Sequence, residues 1–443
     1  MSSFLKGTII LAGAAFFGEC IEFLINLVLA KELGEYGIGQ YMSIAPVIGL
    51  VMIIASLELP ISISKFVAER DKKYHLSMLK SAMKLALIFM VVLLAVAALI
   101  FTMIPFFSDV HPLIRWMILI LVPIISISSI ARGYFMGVQK MGKIAIANLF
   151  RRGMQLFLLV FIYQMFDFQI EVAILVAICS FIGGEVLVFI YLISAYFLQL
   201  KQLKNYPYSE KMPTRHIMKN LMEVALPTTG MRIFHSVTNA IEPFLIKQAL
   251  VISGFSLEAA TEHFGMIAGV AVTIGFFPAF MAHSLMTALI PAVSQSYAVK
   301  DQGRLITLLK QVIRLTLLYG IPVCIAITFF AEPLSKLFVE SLSAPYYLKL
   351  LWPYFLLHYF TIPLQAFLIG MGLVKDALLH NVWATIVAFC IMFLLGSNHE
   401  FQMDGIIIGM NAGACVLMLL HYFTVCKKIG ISLSMHRKEP LID

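Results

Sequence analysis

Twelve stretches of this chain are each long and apolar enough to form a bilayer-crossing helix, which needs about 20 residues. They run near 7–30, 40–66, 79–105, 114–137, 145–166, 170–199, 218–249, 264–296, 306–330, 348–372, 377–396 and 404–426. Backbone groups in hydrocarbon must find hydrogen-bond partners within their own segment, so runs of this length are expected to be helical. The chain is therefore expected to be an all-α, polytopic membrane protein with about 12 transmembrane helices. Of its 443 residues, 61% are hydrophobic and only 13% charged, against about 25% charged in an ordinary soluble domain. The first run reads as a membrane span rather than a cleaved leader, because it carries Glu19 and Glu22 and many similar runs follow it.

The net charge of +8 is a matter of topology. With the N-terminus inside, 26 of the 32 Lys and Arg fall on cytoplasmic segments or span ends, 5 fall outside, and Arg232 is left within a span. That bias is the positive-inside pattern, with both termini cytoplasmic, and it argues against nucleic-acid binding. Six cysteines (Cys20, Cys179, Cys324, Cys390, Cys415, Cys426) lie in or beside apolar runs at spacings that indicate neither disulfides nor a metal site.

The longest polar connection divides the runs into six and six. The expected organisation is an N-terminal six-helix lobe (1–198), a cytoplasmic linker (199–217), a C-terminal six-helix lobe (218–427) and a cytoplasmic tail (428–443). The halves echo one another. Gly137 matches Gly370 and Asn148 matches Asn381 at an offset of 233, Asp71 matches Asp301 at 230, and Pro60 matches Pro291 at 231. A parallel duplication of this kind is common in transporters.

Ionisable groups inside a span are costly and normally face a bundle interior or a water-filled cavity. The first run carries Glu19, Glu22 and Asn26, and the seventh carries Thr228, Arg232, His235, Asn239 and Glu242. Spacings of three and four place each set on one helical face. At 1.5 Å per residue, Glu22 and Arg232 both lie roughly 21 Å from the cytoplasmic helix ends, so they are expected to face one central cavity between the lobes and to pair across it. A structural polar network is the competing reading for the seventh-run stripe. It weighs about equally with function for Glu58 and Glu185. The isolated His283, His358, His380 and His421 read as packing or interfacial residues. There is no phosphate-binding glycine loop, His399-Glu400 lacks the second histidine of a zinc-protease motif, and no outer loop is large enough for a catalytic domain. No catalytic residue, metal site or cofactor is expected.

Several segments resemble the polysaccharide-transporter branch of the multidrug/oligosaccharidyl-lipid/polysaccharide (MOP) exporter superfamily, and within it the stage V sporulation protein B family and its shorter relatives. The segments are GTIILAGAAFFGECIEFLINLVLAKELGEYGIGQY (7–41), LPISISKFVAERD (59–71), RGYFMGVQKMG (132–142), ALPTTGMRIFHSVTNAIEPFLI (225–246), SLMTALIPAVSQSYAVKD (284–301) and LQAFLIGMGLVKDALL (364–379). The resemblance implies two six-helix lobes around a V-shaped cavity and transport by alternating access. It implies a monomeric flippase for a lipid-linked oligosaccharide or peptidoglycan-type precursor, acting in spore envelope formation in a bacterial plasma membrane. It also implies basic residues on the first helix, where this chain carries Glu19 and Asn26. The comparable cation here is Arg232. Substrate binding is expected at Glu19, Glu22, Asn26, Arg232, His235, Asn239 and Glu242, with Na+ or H+ as a coupling cation and membrane lipids as surroundings. A cation-coupled multidrug or metabolite exporter and a membrane glycan transferase or polymerase are the alternatives.

Overall fold

The computed structural model describes residues 3–103, 111–205, 210 and 212–432. In chain order the helices are α1 (Ser3–Ser56), α2 (Leu59–Glu69), α3 (His75–Met103), α4 (Leu113–Gly137), α5 (Met141–Met165), α6 (Ile170–Lys204), α7 (Thr214–Ile252) and α8 (Leu257–Gly265). They continue as α9 (Val272–Phe276), α10 (Phe280–Ala298), α11 (Gln302–Phe329), α12 (Ala331–Lys336), α13 (Ser343–Leu350), α14 (Trp352–Gly370), α15 (Val374–Gly396) and α16 (Gln402–Ile429). A π-helical turn (Met266–Ala271) and a 3-10 turn (Phe277–Ala279) join α8, α9 and α10. The tail expected at 428–443 lies outside the described residues beyond Ser432.

Among the described residues, all twelve expected runs fall mainly on helix. The first lies on α1, which Gly34 (φ 65°, ψ −172°) divides before the helix resumes, and the second runs from the later part of α1 across Leu57 and Glu58 into α2. Among the described residues, nine helical stretches are long and apolar enough to cross a membrane, and the first of them, Phe16–Glu69, holds two of the expected runs. The chain is an all-α, multi-pass membrane protein. On α3 the side chains of Ile88, Val91, Val92, Val96 and Leu99 are all exposed, a surface that suits lipid and would aggregate in water. The expectation did not include α12 or most of α13, two short helices between α11 and α14.

The chain packs as two compact units, one of residues 1–39 and 242–443, the other of 40–241. The expected lobes follow chain order, whereas these units follow packing: the first part of α1 joins the later helices, and most of α7 joins the earlier ones. In the first unit, Phe16 of α1 meets Phe280 at 4.9 Å, and Phe23 meets Phe277 and Phe338 at 5.1 Å each. In the second, Ile217, Leu221 and Ala225 of α7 complete the core made by α2 to α6.

Each unit has its own core, and the two cores repeat. Leu79 and Leu309 are buried at an offset of 230, as are Tyr134 and Phe367, and Leu192 and Val425, at 233. The turns after α4 and α14 share three backbone hydrogen bonds. Val138, Gln139 and Lys140 donate to Tyr134, Met136 and Phe135, and Met371, Gly372 and Leu373 donate to Phe367, Ile369 and Leu368. Both turns need a left-handed residue, which is Gln139 (φ 57°) in one and Gly372 (φ 77°) in the other. The same glycine also closes each helix pair. A Cβ on Gly137 would lie 2.6 Å from Val67 Cβ, and one on Gly370 would lie 2.9 Å from Val293 Cβ.

Candidate functional site

The site begins with a proline. Pro60 has no N–H to donate and its ring clashes with the carbonyl four residues earlier, so α1 stops at Ser56 and α2 starts at Leu59. Leu57 (φ 47°) and Glu58 (φ 44°) between them are left-handed, a conformation costing a non-glycine residue about 1–2 kcal/mol. Hydroxyls satisfy part of the interrupted backbone. Glu58 N donates to Ser56 Oγ (3.4 Å), and Ser62 Oγ donates to the Glu58 carbonyl (3.3 Å). Helix α4 holds the break in place. Ser126 Oγ donates to the Ala55 carbonyl (2.8 Å), and a Cβ on Gly133 would lie 2.8 Å from Pro60 Cα.

At this break the Glu58 side chain is only 4% exposed. Glu58 is the N-cap residue of α2, at the end where the helix dipole favours negative charge, although its carboxylate makes no capping hydrogen bond. Arg232 of α7 pairs with it, with Nη1 donating to Glu58 Oε1 at 2.6 Å. The two partners differ in a way that matters for function. Arg232 keeps 57% of its side chain exposed, so the buried carboxylate fixes the guanidinium while leaving donors on it unused. A guanidinium has five N–H groups in a planar fork that matches phosphate and carboxylate oxygens. The arrangement is an oriented, half-exposed guanidinium on a membrane helix.

Further along the same stripe of α7, His235 and Asn239 are also exposed, and the side chain of Thr228 lies outside the described residues. The structure thus brings Arg232, His235 and Asn239 together in one unit with Glu58. Glu242, the next member of the stripe, belongs to the other unit, where it acts electrostatically on Tyr354. The rings of Tyr354 and His358 lie tilted there with centroids 4.3 Å apart, and Phe276 packs against both. Glu19, Glu22 and Asn26 of α1 are half-buried in that unit, on a face turned roughly 80° from Phe16 and Phe23 at 100° per residue. Arg232 was expected to pair with Glu22; its described ion partner is Glu58.

A second ionic group in the unit of residues 40–241 joins α5 and α6. Arg151 Nε lies 3.5 Å from Glu185 Oε1, and the Arg151 guanidinium sits 5.7 Å above the Phe181 ring. Glu185 is 4% exposed, and Arg132 of α4 adds a further cation acting on it. Little of this group is open to a ligand, in contrast to Arg232.

A family model described as "Polysaccharide biosynthesis protein" matches residues 4–297. The chain belongs to that family. A second model, MatE, matches residues 266–394. Sporulation protein YkvU of Bacillus subtilis (strain 168) is 50% identical over 445 residues, covering 100% of both chains. Stage V sporulation protein B of the same organism is 32% identical, covering 98% of this chain and 85% of its own. Among solved structures, an inward-facing multidrug resistance MATE family transporter of the MOP superfamily superposes with a TM-score of 0.72 at 18% identity, covering 93% of this chain and 94% of its own. A MOP superfamily transporter from Pyrococcus furiosus gives 0.66 at 18% identity, with 96% and 95% covered. These findings place the chain in the polysaccharide-transporter branch of the MOP superfamily, with relatives named for sporulation. It is a membrane transporter.

Proposed function

We propose that this transporter is a flippase for a lipid-linked oligosaccharide or peptidoglycan-type precursor, working by alternating access in the plasma membrane of a spore-forming bacterium, with both termini cytoplasmic. The observation that carries the reading is the Arg232–Glu58 pair, a half-exposed guanidinium held by a buried carboxylate where a membrane helix breaks. Arg232 meets the phosphate of the lipid head group, Asn239 and His235 hydrogen-bond its sugar, and the lipid tail stays in the bilayer. Glu19, Glu22 and Glu242 bind the coupling cation, Na+ or H+. The whole-length likeness to a sporulation protein supports a role in the spore envelope.

Complementation of a strain lacking the protein tests this directly. Arg232→Ala is expected to abolish rescue while the protein still inserts at parental abundance, and Arg232→Lys is expected to rescue partly, because it keeps the charge and loses the fork. Full rescue by Arg232→Ala would remove the phosphate-clamp reading. The MatE match over residues 266–394 favours a second reading, cation-coupled export of drugs or metabolites. Sodium- or proton-dependent efflux of lipophilic cations from vesicles holding the purified protein would support it over the first.

A further inference from the structure

Helices α15 and α16 run against each other along a seam built on every fourth residue. On α16 the row is Gly405, Gly409, Gly413, Leu417 and His421, and on α15 it is Gly396, Met392, Ala388, Ala384 and His380. The seam has no slack. A Cβ on Gly409 would lie 2.3 Å from Met392 Cγ, and one on Gly413 would lie 2.6 Å from Ala388 Cβ. At the end where α15 begins and α16 stops, the small residues give way to two imidazoles. His380 Nδ1 and His421 Nδ1 are 3.2 Å apart, and His380 Nε2 lies 3.2 Å from Thr424 Oγ1. His421 is 0% exposed, and its Nε2 has no hydrogen-bond partner.

Only one neutral arrangement suits these contacts well. One Nδ1 must carry a hydrogen and the other must accept it, and the Thr424 hydroxyl can serve either tautomer of His380. With His380 as donor, His421 would carry its hydrogen on Nε2 and bury an N–H without an acceptor, the costlier kind of orphan. With His421 as donor, its Nε2 is a bare lone pair at the end of a hydrogen-bonded chain. A proton arriving there makes an imidazolium that still donates Nδ1–H to His380. A second proton would have to take His380 Nδ1, setting two N–H groups and two like charges against each other at 3.2 Å. The remaining ionisable group described as acting on the pair is the Asp376 carboxylate, one turn earlier on α15. Helices α11 and α14, which also pack on α16, bring no titratable group to it among the described interactions.

The repeat shows that the fold does not need imidazoles here. At the offset of 233, His380 and His421 correspond to Ala147 and Val188 in the α5–α6 seam, 0% and 1% exposed. The same place in the other copy is packed with an apolar pair. We propose that His380 and His421 form a proton-binding site that takes up one proton and charges the end of the α15–α16 seam. His421 Nε2 takes the proton, and half-buried His380 accepts the Nδ1–H that the imidazolium keeps. Because the seam cannot admit water without widening, proton uptake and movement of α15 against α16 are linked. The inference does not depend on what the cargo is.

Trp383, exposed on α15 three residues beyond His380, reports on the site, since an imidazolium quenches nearby indole. In the full-length protein in lipid nanodiscs, with Trp116→Phe and Trp352→Phe, Trp383 emission is expected to show one step as the pH is lowered from about 8 to about 3, the span over which exposed and buried imidazoles change charge. His380→Ala/His421→Val, which installs the residues of the other seam, is expected to lose that step. A step that persists in the double variant, or no step in the parent, overturns the proposal. If the double variant does not fold, 15N-histidine spectra of the unmutated protein decide. One of these two imidazoles becoming cationic supports the site, and both staying neutral or both becoming cationic contradicts it.

Discussion

Helices α2 and α10 each carry the proline of their repeat, Pro60 and Pro291, and only one of them is broken by it. In the first copy α1 ends four residues before Pro60, two left-handed residues intervene, and α2 starts afresh. In the second copy α10 runs from Phe280 to Ala298 with Pro291 inside it. The hydroxyls differ accordingly. Those of Ser284 and Thr287 fold back onto carbonyls within α10 (2.8 Å each), whereas Ser126 reaches from α4 to the carbonyl of Ala55 just before the first break. Glu58 corresponds to Ala288 or Leu289 at the offsets of 230 and 231, so the second copy has no carboxylate to deliver. Proline makes the break possible but does not impose it. The break is kept where it presents a charged side chain to Arg232, and the unbroken copy has none to present.

The comparison breaks most easily at the ion pair. Arg232→Ala leaves a buried carboxylate without its partner, with an expected loss of about 2 kcal/mol in thermal or denaturant stability, moderated by the exposure of the arginine. Adding Glu58→Gln should recover most of that loss without restoring transport. An additive double variant would contradict the pairing. Next comes the proline itself. Pro60→Ala is expected to cost about 1 kcal/mol, because proline pre-sets the first turn of α2. Pro291→Ala should be neutral or stabilising, because it restores a hydrogen bond to a helix already continuous. Equal losses at the two positions would erase the distinction.

The paired turns permit a similar test of the repeat. Gln139→Gly should stabilise by up to about 1 kcal/mol, since the residue is left-handed and glycine meets no steric penalty there, while Gly372→Ala should destabilise by a comparable amount. Melting temperatures of the purified variants check both signs. The smallest effect concerns the linker. Lys73 Nζ donates to Glu210 Oε1 at 3.0 Å, and these hydrogen bonds from Lys73 and Tyr74 hold the Glu210 carboxyl below its ordinary value of 4.5. A carboxyl depressed in the folded state stabilises above its unfolded value, and that contribution is lost as pH falls through the folded one. The protection of Glu210 N, which donates to the Lys73 carbonyl (3.1 Å), relative to its intrinsic exchange rate at each pH should therefore fall below about pH 4.5. Glu210→Gln should remove the pH dependence.

Much of the fold was legible because membrane spans are written as uninterrupted apolar runs, and the α7 stripe because its spacing follows the helix period. What joins the stripe was not legible. Arg232 and Glu58 are 174 positions apart, and their meeting depends on two left-handed residues that no periodicity announces. Pro60 and the hydroxyls of Ser56 and Ser62 were the available signals. His380 and His421 looked isolated for a related reason. Each is a lone polar residue on an apolar helix, and only the antiparallel register of α15 and α16 makes them neighbours. The division of the chain into packing units was hidden too, because α1 and α7 each change company partway along.

Arg232, held by Glu58, is proposed to receive the anionic head group of a lipid-linked glycan. Lipid extracted from the purified full-length protein and analysed by mass spectrometry tests it most directly. A polyprenyl phosphate- or diphosphate-linked sugar is expected on the parent protein and is expected to be lost from Arg232→Ala. The absence of any such lipid from the parent, or its retention in equal amount by Arg232→Ala, would contradict it.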